Sequence, residues 1–307
     1  MVHKKTILVT GSTGFIGRNI VEFLQPHHLL LTPTHRDLDL LSQKEVHNFF
    51  HDHDIEYVIH CASIGGSRKK LDNKETVEHN LRMFFNLTEN QDRFQTLIHL
   101  GSGAEYDKSR ILHNVHEEEF GKFIPGDNYG FSKYIISKYI EKTENVYCLR
   151  LFGIFGRYED YEFKFISNAI VKNLLHLPIT IRQNVCFSWL YIDDFLKILN
   201  YFLTHTPKHR TYNITPPDTC DLLSIARMIN AISDYTSEIC IETEGLNIEY
   251  SANNSRLINE IGGFSFTPMK KSVSRLRDYY KMMLHTINQD AIRQDPYLKF
   301  CRTYPIR

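Results

Sequence analysis

Thr6-Ile7-Leu8-Val9-Thr10-Gly11-Ser12-Thr13-Gly14-Phe15-Ile16-Gly17 decides the fold of this 307-residue chain. Its apolar opening, Thr6 to Val9, reads as a strand. The residues that follow, Phe15, Ile16, Ile20, Val21, Phe23 and Leu24, have the spacing of an amphipathic helix. A strand, a glycine turn and a helix N-terminus in that order suit a dinucleotide. Gly11 lets the chain turn sharply, Gly14 leaves room for a pyrophosphate to approach backbone N–H groups, and Gly17 lets the helix lie close on the strand. The unpaired N–H groups and positive dipole end of that helix then hold the phosphates. The spacing is GxxGxxG, one residue longer than the commoner GxGxxG.

Further along, Leu29-Leu30-Leu31-Thr32 reads as a second strand and is followed by His35-Arg36-Asp37. A carboxylate at the end of this strand would favour the ribose hydroxyl of NAD, and a cation the 2′-phosphate of NADP. Arg36 favours NADP, because a guanidinium fork suits a phosphate, while Asp37 is the rival that would favour NAD. Ser42-Gln43-Lys44-Glu45 reads as a capping box opening the next helix. Tyr57 to Ala62 reads as a buried strand that runs into the loop Ser63-Ile64-Gly65-Gly66, flexible enough to cover a ligand. The cluster Arg68-Lys69-Lys70 reads as a solvated turn. A helix from about residue 73 to 90 carries Asn80, and Thr96 to Leu100 is a fourth strand ending in Gly101-Ser102-Gly103. Alternating strands and helices, with strands apolar throughout, predict a parallel sheet covered on both faces, with ligands at the carboxyl ends of the strands.

Composition excludes several classes. Lys plus Arg equals Asp plus Glu at 36 each, so no basic field points to nucleic acid. The six cysteines are scattered, without CxxC spacing or clustering with histidine, which predicts no metal site and a reducing, cytoplasmic compartment. No run approaches the roughly 20 apolar residues that span a bilayer, so no membrane partner is expected.

Tyr129-Gly130-Phe131-Ser132-Lys133 supplies the chemistry. Tyr129 and Lys133 are i and i+4 and share a helix face. A phenol titrates near pH 10, and an adjacent ammonium is expected to lower that value by favouring the phenolate. With Ser102 polarising a carbonyl, the three groups can move a proton on and off an alcohol oxygen while a hydride moves at carbon.

This ordered combination resembles the extended short-chain dehydrogenase/reductases, specifically their nucleotide-sugar epimerase, dehydratase and reductase branch. The resemblance rests on TGSTGFIG, Asp39-Leu40, Val58 to Ala62, Asn80, Ser102 to Tyr106, YGFSK, Leu149 to Phe152, Trp189 to Asp194, Tyr212 to Ile214 and Asn254 to Leu257. It implies an α/β fold: a Rossmann-type doubly wound parallel sheet with a smaller C-terminal substrate-binding lobe. The dinucleotide-binding domain would span residues 1–155, with the sheet rejoined by 186–215, and the nucleotide-sugar lobe 156–307. It implies Ser102, Tyr129 and Lys133 as catalytic residues. It places Gly11, Gly14, Phe15, Ile16, Gly17 and Arg36 at the cofactor, Asp39 and Leu40 beside the adenine, and Cys61 and Ala62 along the dinucleotide. Asn80 would lie near its ribose, Lys133 would hold the nicotinamide ribose, and Phe152 would start the loop under the nicotinamide. A homodimer through the helices of Asn80 and Tyr129 follows by the same analogy.

Departures from the pattern narrow the chemistry. Dehydratases resembling this chain place an Asp-Glu pair after the catalytic hydroxyl, where Gly103 and Ala104 stand here, and Glu105 is one place late and, on an extended segment, would face away. Fucose synthases resembling it place a cysteine where Ala104 stands. What remains is reduction of a nucleotide-linked 4-keto-(6-deoxy)sugar by NADPH, an NAD-dependent 4-epimerase, or a cofactor-sensing binding protein on the same scaffold. Arg36 favours the reductase. Phe187-Ser188 stands where relatives carry a cation, which leaves Arg182 and Arg256 as candidates for the substrate pyrophosphate. Trp189 reads as packing, and the tail from about residue 288 as a clasp onto the core or onto a second subunit.

Overall fold

A computed structural model describes residues 4–66 and 72–301. The cluster Arg68-Lys69-Lys70 and the last tail aromatic, Tyr304, lie outside them. Six parallel strands form the main sheet in the order Thr211–Ile214, Val146–Leu151, Thr96–Ser102, Tyr57–His60, Thr6–Thr10, Leu29–Leu31. The chain starts at Thr6–Thr10, moves out to the edge strand Leu29–Leu31, then crosses back to Tyr57–His60 on the other side. The order therefore reverses beside Gly11, the crevice in which doubly wound sheets take their ligands.

Each strand is apolar throughout because its two faces serve two cores. Ile7 and Val9 point into a layer with Ile20, Leu24, Phe195 and Leu199, while Leu8 points into the opposite layer with Val46, Phe84, Leu87 and Ile136. The first layer is covered by helices Phe15–Leu24 and Ile192–Thr204, the second by Gln43–Asp52, Glu75–Thr88 and Asn128–Ile140. Ile7, Leu8, Val9, Phe84 and Leu87 are fully buried, and each such side chain contributes about 1.5–3 kcal/mol. Leu29, on the edge, is 57% exposed.

Local signals fix the element ends. Ser42 caps Gln43–Asp52 by accepting the Glu45 N–H at 3.4 Å, but Glu45 reaches the Asp39 N–H instead of closing the box. The helix expected over residues 73–90 is Glu75–Thr88, introduced by Asn73, whose side chain bonds Thr76. Asp127 caps Asn128–Ile140 by accepting the Gly130 N–H at 2.9 Å.

Beyond the main sheet the chain forms three small sheets. Gly153–Phe155 pairs Trp189–Tyr191, Ile179–Asn184 pairs Ile239–Leu246, and Leu112–Val115 joins Tyr250–Ala252, Cys186–Phe187 and Cys220–Asp221. Trp189 packs on Phe155 and Phe187 and donates to the Cys220 carbonyl. The tail clasps its own core: Asp295 pairs with the buried Lys172 at 2.7 Å, and Tyr297 is buried against Phe165. Among the described residues no helix is long and apolar enough to cross a membrane, and no group of three or more His, Cys, Asp or Glu could hold a metal ion.

At the glycine turn the three positions carry different duties. Gly11 has φ +67°, and a Cβ there would stand 2.7 Å from the Ala62 nitrogen; at Gly17 it would stand 2.2 Å from the Gly11 carbonyl oxygen. At Gly14 a Cβ would meet only that oxygen, at 3.4 Å. Gly17→Ala should therefore cost about 2 kcal/mol or more of stability, while Gly14→Ala should leave the denaturation midpoint almost unchanged and still weaken dinucleotide binding. Denaturant unfolding beside calorimetric cofactor titration checks this; equal destabilisation by both variants would contradict it.

Candidate active site

The carboxyl ends of the first, third and fourth strands converge on one crevice. The helix after the glycine turn begins at Phe15 with Gly14 as its N-cap and no side-chain cap, so its first N–H groups face the crevice. Thr10 ties the neighbouring strand ends together: its hydroxyl lies 2.8 Å from His60 Nδ1 and accepts the Ala62 N–H at 3.4 Å. Phe15, Ile16, Cys61 and Ala62 are all partly exposed around this turn. A backbone cradle with an uncapped helix start fits a dinucleotide pyrophosphate.

Ser102 ends the fourth strand, Tyr129 opens the helix Asn128–Ile140, and Lys133 follows one turn later. The structure brings the three together. Burial pushes the Tyr129 phenol up to about 12, and a hydrogen-bonding contact from Ser102 draws it back. The buried Lys133 donates to the Leu100 carbonyl at 2.7 Å and to His99 Nε2 at 3.3 Å, with its ammonium 5.9 Å from the centroid of the Tyr129 ring. Burial also lowers Lys133, while Glu105 raises it in part. The expected lowering of the phenol by this ammonium is not what the resting site has: desolvation outweighs it. Beneath Lys133, burial and the lysine charge drive His60 down to about 3 and hold His99 well below its ordinary value, so both imidazoles are neutral.

A loop lies over the phenol. Asp72 accepts the Gly66 N–H at 3.1 Å and the Tyr129 N–H at 3.4 Å, and a Cβ at Gly66 would stand 2.9 Å from the Tyr129 ring, so only glycine permits that approach. Asn80 holds the other end of the loop, accepting the Ile64 N–H at 2.8 Å and donating to the Ile64 carbonyl at 2.9 Å and to Ser132 at 3.0 Å. Its polar atoms are thus engaged with the protein. Lys108, paired with Asp127 at 3.0 Å, stands 5.6 Å from the centroid of the Tyr129 ring.

Glu105 corrects the sequence reading. Ser102 is followed by a tight 3-10 turn, Gly103–Tyr106, not an extended segment, and that turn drives Glu105 into the core. Its carboxylate accepts the Ser102 N–H at 2.8 Å, the Ser137 hydroxyl at 2.5 Å and Arg150 Nε at 2.6 Å, with Glu105 and Arg150 fully buried. Arg150 continues to the Tyr106 hydroxyl, which donates to Asn213. Ala104, the place of a cysteine in fucose synthases, is buried and brings no acid or base.

Other expected residues stay apart. Arg36 and Asp39 lie beyond the edge strand: Arg36 is exposed and its guanidinium has no ion pair among the described residues, Asp39 accepts the Leu41 N–H at 3.0 Å, and Leu40 is buried. Asp37 folds back on Thr34, whose hydrogen bonds hold its carboxyl below the usual range. Arg182 pairs with Glu242, and Arg256 pairs with Glu118 at 2.5 Å and donates to the Thr211 carbonyl at the amino end of the last strand. In this structure both cations are engaged with carboxylates. Phe152 packs on Tyr106 and on Tyr250, which reaches the Ser102 turn and which no motif marks.

The model of the NAD dependent epimerase/dehydratase family matches residues 7–215. The chain is 20% identical over 301 residues to GDP-L-colitose synthase of Yersinia pseudotuberculosis, covering 89% of this chain and 97% of that protein. Among solved structures it is similar to the GDP-mannoheptose C4 reductase of Campylobacter jejuni with NADP bound, at TM-score 0.77 and 19% identity, covering 92% of this chain and 99% of that one. It is also similar to a GDP-L-fucose synthetase of Naegleria fowleri bound to NADP, at TM-score 0.79 and 16% identity, covering 93% and 95%.

Removing one partner of a buried ion pair strands the other charge, at about 3–5 kcal/mol. Arg150→Ala should lose about that much unfolding free energy, and the paired change Glu105→Leu with Arg150→Met should recover most of it. Urea denaturation reads both; an Arg150→Ala loss below about 1 kcal/mol would contradict the role given to the pair.

Proposed function

The chain belongs to the NAD-dependent epimerase/dehydratase family, and from that premise we propose that it reduces a nucleotide-linked 4-ketosugar with NADPH. The observation that carries the reading is the meeting of Ser102, Tyr129 and Lys133 at the strand ends beside the glycine turn. A ketone oxygen seated between the Ser102 and Tyr129 hydroxyls receives two hydrogen bonds, which stabilise the charge that grows there as a hydride arrives at carbon. Bound NADPH supplies that hydride. Tyr129 then gives its proton to the oxygen, and because burial keeps its pKa at about 12 the phenol is loaded throughout the physiological range. Lys133, held on the Leu100 carbonyl, keeps an ammonium one helical turn below, where it would stabilise the phenolate left behind and would hold the ribose of the cofactor.

Several features support reduction over the alternatives. Gly103 and Ala104 supply neither the acid pair of a dehydratase nor the thiol of a fucose synthase. The exposed Arg36 suits the 2′-phosphate of NADP, and two structurally similar proteins carry NADP in their descriptions. A non-catalytic sensor would not need both Tyr129 and Lys133. The names of the relatives make GDP-linked ketosugars the first substrates to try. The lobe formed after residue 156 would take the sugar nucleotide, and the crevice would work in each subunit of a homodimer.

Incubation of the purified protein with NADPH or NADH and a panel of GDP-, UDP-, CDP- and dTDP-linked 4-ketosugars tests this by loss of absorbance at the nicotinamide band. Consumption with NADPH favoured is the expected result, and Arg36→Ala should narrow the preference about tenfold. Interconversion of 4-epimers with tightly retained NAD and no net oxidation would instead identify a 4-epimerase.

A further inference from the structure

Lys133 stands on an imidazole that no motif marks. Its ammonium is buried, and among the described residues two groups accept from it: the Leu100 carbonyl at 2.7 Å and His99 Nε2 at 3.3 Å. Both acceptors come from neighbouring residues of the strand Thr96–Ser102. An ammonium has three protons and no lone pair. The nitrogen it meets on His99 must therefore carry the lone pair, which puts the imidazole proton on Nδ1.

That proton has no taker. His99 is 1% exposed and its Nδ1 has no hydrogen-bond partner among the described residues, whereas Nδ1 of the adjacent His60 is held by the Thr10 hydroxyl at 2.8 Å. A buried donor without a partner is destabilising, and packing alone does not call for one here. The His99 ring lies edge-on to Phe84 at 5.3 Å and tilted against His60 at 5.3 Å, contacts that a phenyl ring would also make. What the imidazole adds is the Nε2 lone pair under Lys133. The unpartnered Nδ1 also ends any proton path at His99, so the ring orients the ammonium and does not relay.

The other groups that face the ammonium are His60 and Cys61 at the end of the third strand, Glu105 after the fourth, Cys148 on the fifth and Tyr129 on its own helix. None of them is hydrogen-bonded to it. Glu105 acts from a distance, because its oxygens are taken by Ser102, Ser137 and Arg150.

We infer that His99 is a positioning residue for Lys133: its Nε2 and the Leu100 carbonyl take two of the three ammonium protons and fix the amine on the strand, which leaves the third for the hydroxyl of a cofactor ribose. Tyr129 then feels the ammonium through its charge, from a ring centroid 5.9 Å away. The part this plays in reduction rests on the reductase reading. The hold on the ammonium does not.

His99→Phe keeps the ring packing and removes the acceptor. In ligand-free protein labelled with 15Nζ lysine, Lys133 should titrate about one pH unit or more lower in His99→Phe, because an acceptor favours the charged form. His99→Gln, whose amide oxygen can take the place of Nε2, should recover most of that shift. The urea midpoint of His99→Phe should not fall, since the unpartnered Nδ1 goes as well. With NADPH and a consumed ketosugar nucleotide, the alkaline limb of kcat should move down together with Lys133. A Lys133 titration that stays in place in His99→Phe, or that moves equally in His99→Gln, would overturn the inference. If the native protein consumes no nucleotide-linked ketosugar, the reductase reading fails, and the Lys133 titration alone decides the place of His99.

Discussion

The carboxylate of Glu105 sits where three pieces of chain must be held in register. One oxygen receives the backbone N–H of Ser102, the other the hydroxyl of Ser137 and the guanidinium of Arg150. Ser137 lies one turn beyond Lys133 on the helix that Tyr129 opens, so a single buried group spaces the serine against the helix bearing the phenol and the ammonium. A charge at this depth is costly unless it is fully paired. Arg150 pairs that carboxylate and reaches Tyr106 and through it Asn213, which draws in the last strand of the sheet as well, while its Nη2 stays without a hydrogen-bond partner. The spacing of Ser102 against Tyr129 and Lys133 is therefore set from below, by the core.

From above, the same centre is set by two lighter clasps. Asp72 and Asn80 pin the ends of the loop after the third strand, and Gly66 lies flat on the Tyr129 ring because nothing larger fits. Gly66 covers one face of the phenol, and burial keeps its proton in place. The polar groups at this point are hydroxyls, those of Ser102 and of Tyr129, whose phenol burial raises. Such groups donate hydrogen bonds without bringing charge, which suits a carbonyl whose oxygen becomes an alcohol.

Much of this was legible in the chain. Uninterrupted apolar strands announced a sheet buried on both faces, and the two cores that divide Ile7 and Val9 from Leu8 show why no alternation appears. Gly11 and Gly17 were readable because close backbone approach leaves no other residue there. The pairing of Tyr129 with Lys133 was readable because helical spacing is local. What escaped was non-local or depended on a turn type. Glu105 was misplaced because the sequence around Ser102 does not distinguish an extended segment from a 3-10 turn, and its partner Arg150 lies 45 residues away. Tyr250 was missed because it arrives from a strand of another sheet, 148 positions beyond Ser102 in the numbering. The phenol was expected to ionise more easily because charge was weighed without the desolvation that opposes it.

The central claim is that Tyr129 gives the proton at the reacting oxygen while the dinucleotide is held elsewhere. Single-turnover reduction of the preferred ketosugar nucleotide by the NADPH complex, native against Tyr129→Phe, tests it most directly when the NADPH dissociation constant is measured on the same samples. The account predicts a rate lower by a factor of about 100 or more with NADPH affinity unchanged within about twofold. A Tyr129→Phe protein that reduces its substrate at the native rate would contradict it.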